Sequence, residues 1–178
     1  VAAWNSPELL SACLASLEAQ VRDLSTEVIV VSNYDCPSQL KQRFPFARFD
    51  RECDTAIVPK LRTQGVLRSA GQIVAILEDH CTVGDGWCAE IIRSHELPFS
   101  IVGGSVENSS DQRALDWAVY FYDYGRFMLP DTPRVGDSLS EANVSYKRQA
   151  LERVSQLYKD GFYEVVVHHE LLRLGYYL

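Results

Sequence analysis

Glu78, Asp79 and His80 stand together at the end of an apolar run, Ile73-Val74-Ala75-Ile76-Leu77. In an extended chain alternate side chains share a side, so Glu78 and His80 face the same way. A carboxylate and an imidazole placed like this can share a divalent cation. Carboxylate oxygens suit magnesium, and an imidazole moves the preference toward manganese. The plainer reading is a strand that ends in a solvated acidic turn. Farther along, Glu164 and His168 are four residues apart on what reads as one helical face, where the imidazole could orient the carboxylate or reach a metal. His169 lies one residue round and is expected to face solvent.

The elements that must position these groups follow from spacing and punctuation. Lys60 to Ala70 reads as a helix, with Leu61, Val66 and Ala70 near helical spacing and Gly71 as its stop. The apolar run after it has the character of a strand buried on both faces, and ligands of open α/β sheets bind at the carboxyl ends of such strands. Before this core, Ser6-Pro7-Glu8 opens a helix carrying Leu10, Cys13, Leu14, Leu17 and Val21, and Glu27 to Val31 is a β-branched strand. The polar turn Ser32 to Ser38 leads into a helix that Pro37 can open. Residues 44–54 read as irregular, and Thr55 to Val58 as a short edge strand ending before Pro59.

After the core, Asp85 to Glu96 is an amphipathic helix with Trp87, Ile91 and Ile92 on one side. Ser100 to Val106 is a strand whose Gly103 and Gly104 permit close approach to its backbone. Asp111 to Arg126 is an aromatic-rich helix, suited to a core, an interface or stacking on sugar rings. Residues 127–138, broken by Pro130, Pro133 and Gly136, form a surface loop and a candidate lid.

The 178 residues, 47% hydrophobic and 23% charged, are enough for one compact domain with its own core, and one domain is expected over 1–178. A net charge of −7 with no basic run argues against a nucleic-acid partner held through phosphates. No stretch of transmembrane length and no export signal is present in this chain. Five cysteines without a Cys-x-x-Cys pair fit reduced thiols, so a cytosolic setting is expected, including the inner face of the membrane.

Arg62-x-x-Gly65, Ala70-Gly71, the apolar strand ending in acids, and Gly86-Trp87 together resemble the core of the family 2 glycosyltransferases and their relatives with the GT-A fold. In that family the strand ends in Asp-x-Asp, which holds a metal ion on the diphosphate of a nucleotide-sugar. Glu78-Asp79-His80 is closer to the Asp-x-His version of the polypeptide N-acetylgalactosaminyltransferases, where a cysteine and a Gly-Trp also follow, as Cys81 and Gly86-Trp87 do here. The resemblance implies a three-layer α/β/α domain with a Rossmann-like, mostly parallel mixed sheet. It makes Glu78 and His80 the metal pair, for Mn2+ or Mg2+, and puts Asn5, Asp35, Arg62 and Asp79 on the nucleotide-sugar side. It also places the 100–106 strand beside the metal strand.

Ala3-Trp4-Asn5 is similar to the end of the family's first turn, so the first strand is expected to be mostly missing. Ser32 stands where the family usually has an acid, which leaves Asp35 as a ribose contact or a turn residue. Ser140 to Arg148 is similar to a family segment running from strand into helix, with Asn143 and Arg148 at matching places. Glu141 replaces the usual glycine there and is assigned to the acceptor side. The stretch from Asp160 to Gly175 resembles the family's carboxylate helix. Counting back from Gly175 makes Glu164 the general base, with His168 on the acceptor side.

The expected reaction is inverting transfer of a sugar from a nucleotide-diphosphate sugar to a hydroxyl of a saccharide, a lipid-linked acceptor or a small molecule. Two rivals remain. One is a degenerate domain of this type that binds a nucleotide-sugar or a protein partner without catalysis. The other is a metal-dependent hydrolase built on His80, Glu164 and His168.

Overall fold

The computed structural model describes residues 1–22, 24–110, 112–128, 135–136 and 139–177. Six strands and seven α-helices alternate along them. Most of the expected lid over 127–138 lies outside the described residues.

The first half is βαβαβ. β1 (Ala2–Ala3) is followed by α1 (Pro7–Val21), β2 (Val28–Ser32), α2 (Ser38–Arg43) and β3 (Ala47–Arg51). The three strands are parallel in the order β1-β2-β3. α1 begins where its signals place it: Ser6 accepts from the Leu9 amide, Pro7 occupies the first turn, and the expected five residues are buried. β3 runs through the stretch read as irregular, because Ala47-Arg-Phe-Asp-Arg51 is an edge strand whose charged residues give no apolar run. Thr55 to Val58 is not a strand. Residues 53–56 form a turn closed by the Ala56 amide on the Cys53 carbonyl (2.9 Å), and Pro59 sits in the first turn of the next helix. A proline there loses no hydrogen bond and is preset for helix, so it marked a beginning rather than an end.

That helix, α3 (Val58–Arg68), leads to β4 (Ile73–Ile76), then α4 (Trp87–Glu96) and β5 (Ile101–Gly103). α3 stops at Ser69, whose extended backbone ends it two residues before Gly71. α5 (Ala114–Asp123), β6 (Val144–Lys147), α6 (Arg148–Arg153) and α7 (Glu164–Arg173) complete the chain. β6 runs antiparallel between β4 and β5, so β5 is not the neighbour of β4. Gly103 and Gly104 are approached by the side chains of Leu139 and Asn143, which lie over the backbone where side chains would otherwise stand.

The two three-stranded sheets meet where Ala2 bridges Glu78: the Ala2 amide donates to Leu77 O (2.8 Å) and the Asp79 amide to Ala2 O (3.0 Å). Alternation along β2 sends Val28 and Val30 to a core with α1, α2 and α4, and Ile29 and Val31 to the opposite face with α3. β4 is less covered than an apolar run predicts. Val74 and Ile76 are buried, yet Ala75 is exposed, because β1 reaches β4 only at its carboxyl end. A cavity of about 850 Å³ lies between the amino-terminal parts of β2 and β4. A third cluster packs β4, β5 and β6 against α6 and α7 through Tyr146, Phe162, Val167 and Leu171.

Candidate active site

The strand order 3-2-1-4-6-5 reverses direction between β1 and β4, and the crevice beyond their carboxyl ends is where an α/β sheet takes a ligand. Asp79 turns away from this crevice. Its Oδ2 accepts from the backbone amides of Trp4 (2.9 Å) and Asn5 (2.8 Å), its Oδ1 accepts from Asn5 Nδ2 (2.6 Å), and it is fully buried. Three donors on one buried carboxylate fix the turn after β1 to the end of β4. Alternation puts Glu78 and His80 together on the other side, with Glu78 Oε2 3.5 Å from His80 Nδ1. Asn5 Nδ2 is also 3.5 Å from that nitrogen.

Arg62 is the hub. Carried on the second turn of α3 and almost wholly buried, its guanidinium contacts Glu78 Oε1 through Nη2 and Glu164 Oε2 through Nη1 at 2.5 Å. One cation thus joins the end of β4 to the first turn of α7, 102 residues away. Burial opposes the guanidinium charge, but Glu78, then Glu164 and Glu141, more than offset it and hold its pKa above the ordinary value. Glu164 sits in the first turn of α7, where the helix dipole favours a carboxylate.

His168 lies elsewhere. It is buried, bonded to Tyr146 Oη at 2.8 Å, and burial lowers its pKa to about 4. It therefore belongs to the core between β6 and α7 and is neutral at pH 7, and His80, Glu164 and His168 do not converge as the hydrolase reading needs. His169 is exposed. Glu141 is half-buried, and its charge is felt by Arg62, Cys81 and Tyr124. Burial first, then Glu78, pushes the Cys81 thiol up to about 11, which keeps it protonated.

Ser32 is buried and donates to Tyr34 O (2.7 Å), so this hydroxyl closes its own turn. Asp35 is exposed and paired with Arg51 Nε at 3.1 Å. Asn143 accepts from Trp87 Nε1 (2.9 Å) and donates to Ser105 O (2.9 Å), while Arg148 donates to Gly71 O (2.6 Å) and Ser69 Oγ (2.8 Å). Both hold loops at the strand ends. Asp79 as a latch and the far end of the Arg62 bridge were hidden in the sequence, since Asn5 lies 74 residues from Asp79 and Glu164 lies 102 residues from Arg62. The only sequence signal was position: Asp79 and Arg62 each sit within a stretch already marked as the core.

Among the described residues no three His, Cys, Asp or Glu side chains gather to enclose a metal. Glu78 Oε2 and His80 Nδ1 nevertheless offer two donors on one side of the crevice. That set fits a cation which keeps waters and takes its remaining ligands from a phosphate group, and does not fit a closed structural metal.

The sequence profile described as glycosyl transferase family 2 matches residues 1–155, from β1 through α6. The chain belongs to glycosyl transferase family 2. No curated protein sequence matches it significantly. Among solved structures it is similar to the mannosyltransferase PcManGT from Pyrobaculum calidifontis, determined with GDP-Man and Mn2+, at TM-score 0.69 and 15% identity over 98% of this chain and 52% of that one. It is also similar to TarS (residues 1–349) of S. aureus, at 0.59 and 13% over 86% and 48%. Glucosyl-3-phosphoglycerate synthase from Mycobacterium tuberculosis, in complex with phosphoglyceric acid, matches at 0.54 and 11% over 84% and 57%. These likenesses show the GT-A fold, and the family 2 chain spans about half the length of the solved structures it matches.

Proposed function

We propose that this family 2 domain moves a glycosyl unit from a nucleotide-diphosphate sugar to a hydroxyl acceptor, with inversion at the anomeric carbon. The observation that carries the reading is that Arg62 joins Glu78 to Glu164 at the carboxyl ends of β1 and β4, with His80 beside the other oxygen of Glu78. The nucleotide side comprises Asn5, Asp35 and Arg62, with Asp79 acting through the Trp4–Asn5 turn it holds. The diphosphate lies toward Glu78 and His80. Glu78 and His80 would hold a divalent ion there, Mn2+ or Mg2+, which would supply positive charge to the diphosphate.

Glu164 takes the acceptor proton as the acceptor oxygen bonds to the anomeric carbon. The bond from that carbon to the phosphate oxygen breaks, and its electron pair leaves with the diphosphate. A positioned general base is worth typically ~10²–10⁴-fold in rate. Glu141 and His168 border the acceptor side, Glu141 by its charge toward the crevice and His168 by bracing α7 on Tyr146. The acceptor is a saccharide, a lipid-linked sugar or a small molecule; no helix among the described residues is long and apolar enough to cross a membrane. Five free cysteines favour a cytosolic setting, including the membrane's inner face.

One observation favours a second reading: Arg62 already occupies an oxygen of both Glu78 and Glu164, as a binding domain without catalysis would allow. Thermal shift with UDP-, GDP- and TDP-sugars, each with and without Mn2+, separates the readings when paired with Glu164→Gln. A rise of several degrees needing both components is expected. Glu164→Gln should keep that rise while its transfer rate falls ~10²-fold or more. No rise with any donor would sink the donor reading, and wild-type transfer by Glu164→Gln would remove the base from Glu164.

A further inference from the structure

A second cavity, of about 330 Å³, opens beyond the carboxyl ends of β1 and β2, bounded by Trp4, Asn33, Asp54, Thr55 and Ile57. Its walls are set before any ligand arrives. The Trp4 amide is fixed on Asp79, and Asn33 Nδ2 donates to Ala56 O at 3.1 Å, tying the end of β2 to the 53–56 turn. The Trp4 ring, 44% exposed, and Ile57, 59% exposed, offer apolar surface to a flat ring. Asp54, a central residue of that turn, brings a carboxylate to the rim. Arg51 contacts Asp54 Oδ1 through Nη2 and Asp35 Oδ1 through Nε (3.1 Å), so one guanidinium serves two carboxylates and the rim keeps a net negative charge.

Resting on the donor reading above, which brings the base of the donor nucleotide to this cavity, we propose that the base is guanine and that Asp54 selects it. A carboxylate is acceptor-only and is best met by two adjacent N–H donors. Guanine offers this pair, N1–H and the exocyclic N2–H2, while its O6 can accept from Arg51. Uracil and thymine present a single N–H flanked by two carbonyl oxygens, which a negative rim repels. Adenine sets an acceptor beside its amino group. The path onward is short in sequence and in space: Asn5 follows Trp4, and its side-chain Nδ2 is 3.5 Å from His80 Nδ1, toward which the donor reading places the diphosphate.

The test is calorimetric titration of the whole chain with GDP, UDP, ADP and dTDP in Mn2+. Because Asp54 is 78% exposed at its side chain, discrimination is expected at about tenfold in favour of GDP, well below that of a buried polar site. Asp54→Asn should lower GDP affinity about tenfold and leave the other three unchanged, since the amide presents donors to donors. Trp4→Leu should weaken all four alike. Tighter binding of UDP, ADP or dTDP, or an equal loss for all four in Asp54→Asn, would overturn the assignment while leaving the donor reading intact. Absence of binding by all four would overturn both.

Discussion

The two halves of the sheet handle polarity in opposite ways. In the first half, β1 to β3 run parallel and the polar groups at their carboxyl ends are already joined to partners, with Asp79 on Asn5, Asn33 on Ala56 and Arg51 between two aspartates. In the second half, β4, β6 and β5 are antiparallel, the titratable residue His168 is sunk in the core, and the helix α5 leaves Leu115, Val119, Phe121 and Tyr122 exposed, the last at 90%. α5 thus presents its aromatic stripe outward, and Tyr120 alone among its residues is buried. The contrast teaches that the first half is preorganised by its own hydrogen bonds, while the second half shows surface that only further contacts would cover. Arg62 belongs to both halves.

The largest effect should therefore come from Arg62. Arg62→Met leaves Glu78 and Glu164 close together without their shared cation, and breaking a buried pair this way costs roughly 3–5 kcal/mol. Urea denaturation should show that loss, and adding Glu164→Gln should recover part of it. A loss below about 1 kcal/mol would mean the seam is solvated and the halves are independent.

His168 gives the next effect, in the second half alone. Its folded pKa of about 4 lies below the ordinary 6.5 because burial disfavours the charged ring. The unfolded chain thus binds the proton more readily, and the histidine's contribution is complete above pH 6.5 and lost as pH falls from 6.5 toward 4. The ceiling is on the order of 3 kcal/mol. Stability measured from pH 7.5 to 4 should fall more steeply in the wild type than in His168→Gln; parallel curves would contradict the burial of this ring as a neutral group.

The smallest effect should be Tyr122→Ser, within about 0.5 kcal/mol of wild type in denaturant midpoint, because the side chain touches little. A larger loss would show that α5 is packed in solution and that the second half is as complete as the first.

How much of this was legible depended on how local the signal was. The start of α1 was plain from Ser6 and Pro7, and the pairing of Glu78 with His80 followed from strand alternation alone. β3 was hidden because an edge strand with charges at alternate positions has no apolar signature, and Pro59 misled because the same ring ends strands and begins helices. The order β4-β6-β5 is a pairing across 41 residues at the least, Gly103 to Val144, and spacing carries no trace of it. Arg62 could be marked as important from its motif, but its bridge to Glu164 depends on where α7 docks.

The seam between the halves has a mechanical consequence. Two backbone hydrogen bonds, Ala2 N to Leu77 O and Asp79 N to Ala2 O, sew β1 to β4, and both lie at the carboxyl end of the strands. At the other end the strands part around the 850 Å³ cavity. Stiffness is therefore concentrated beside Glu78 and His80, and compliance is left at the far edge, so strain applied from outside can spread the back of the sheet before it displaces these two side chains.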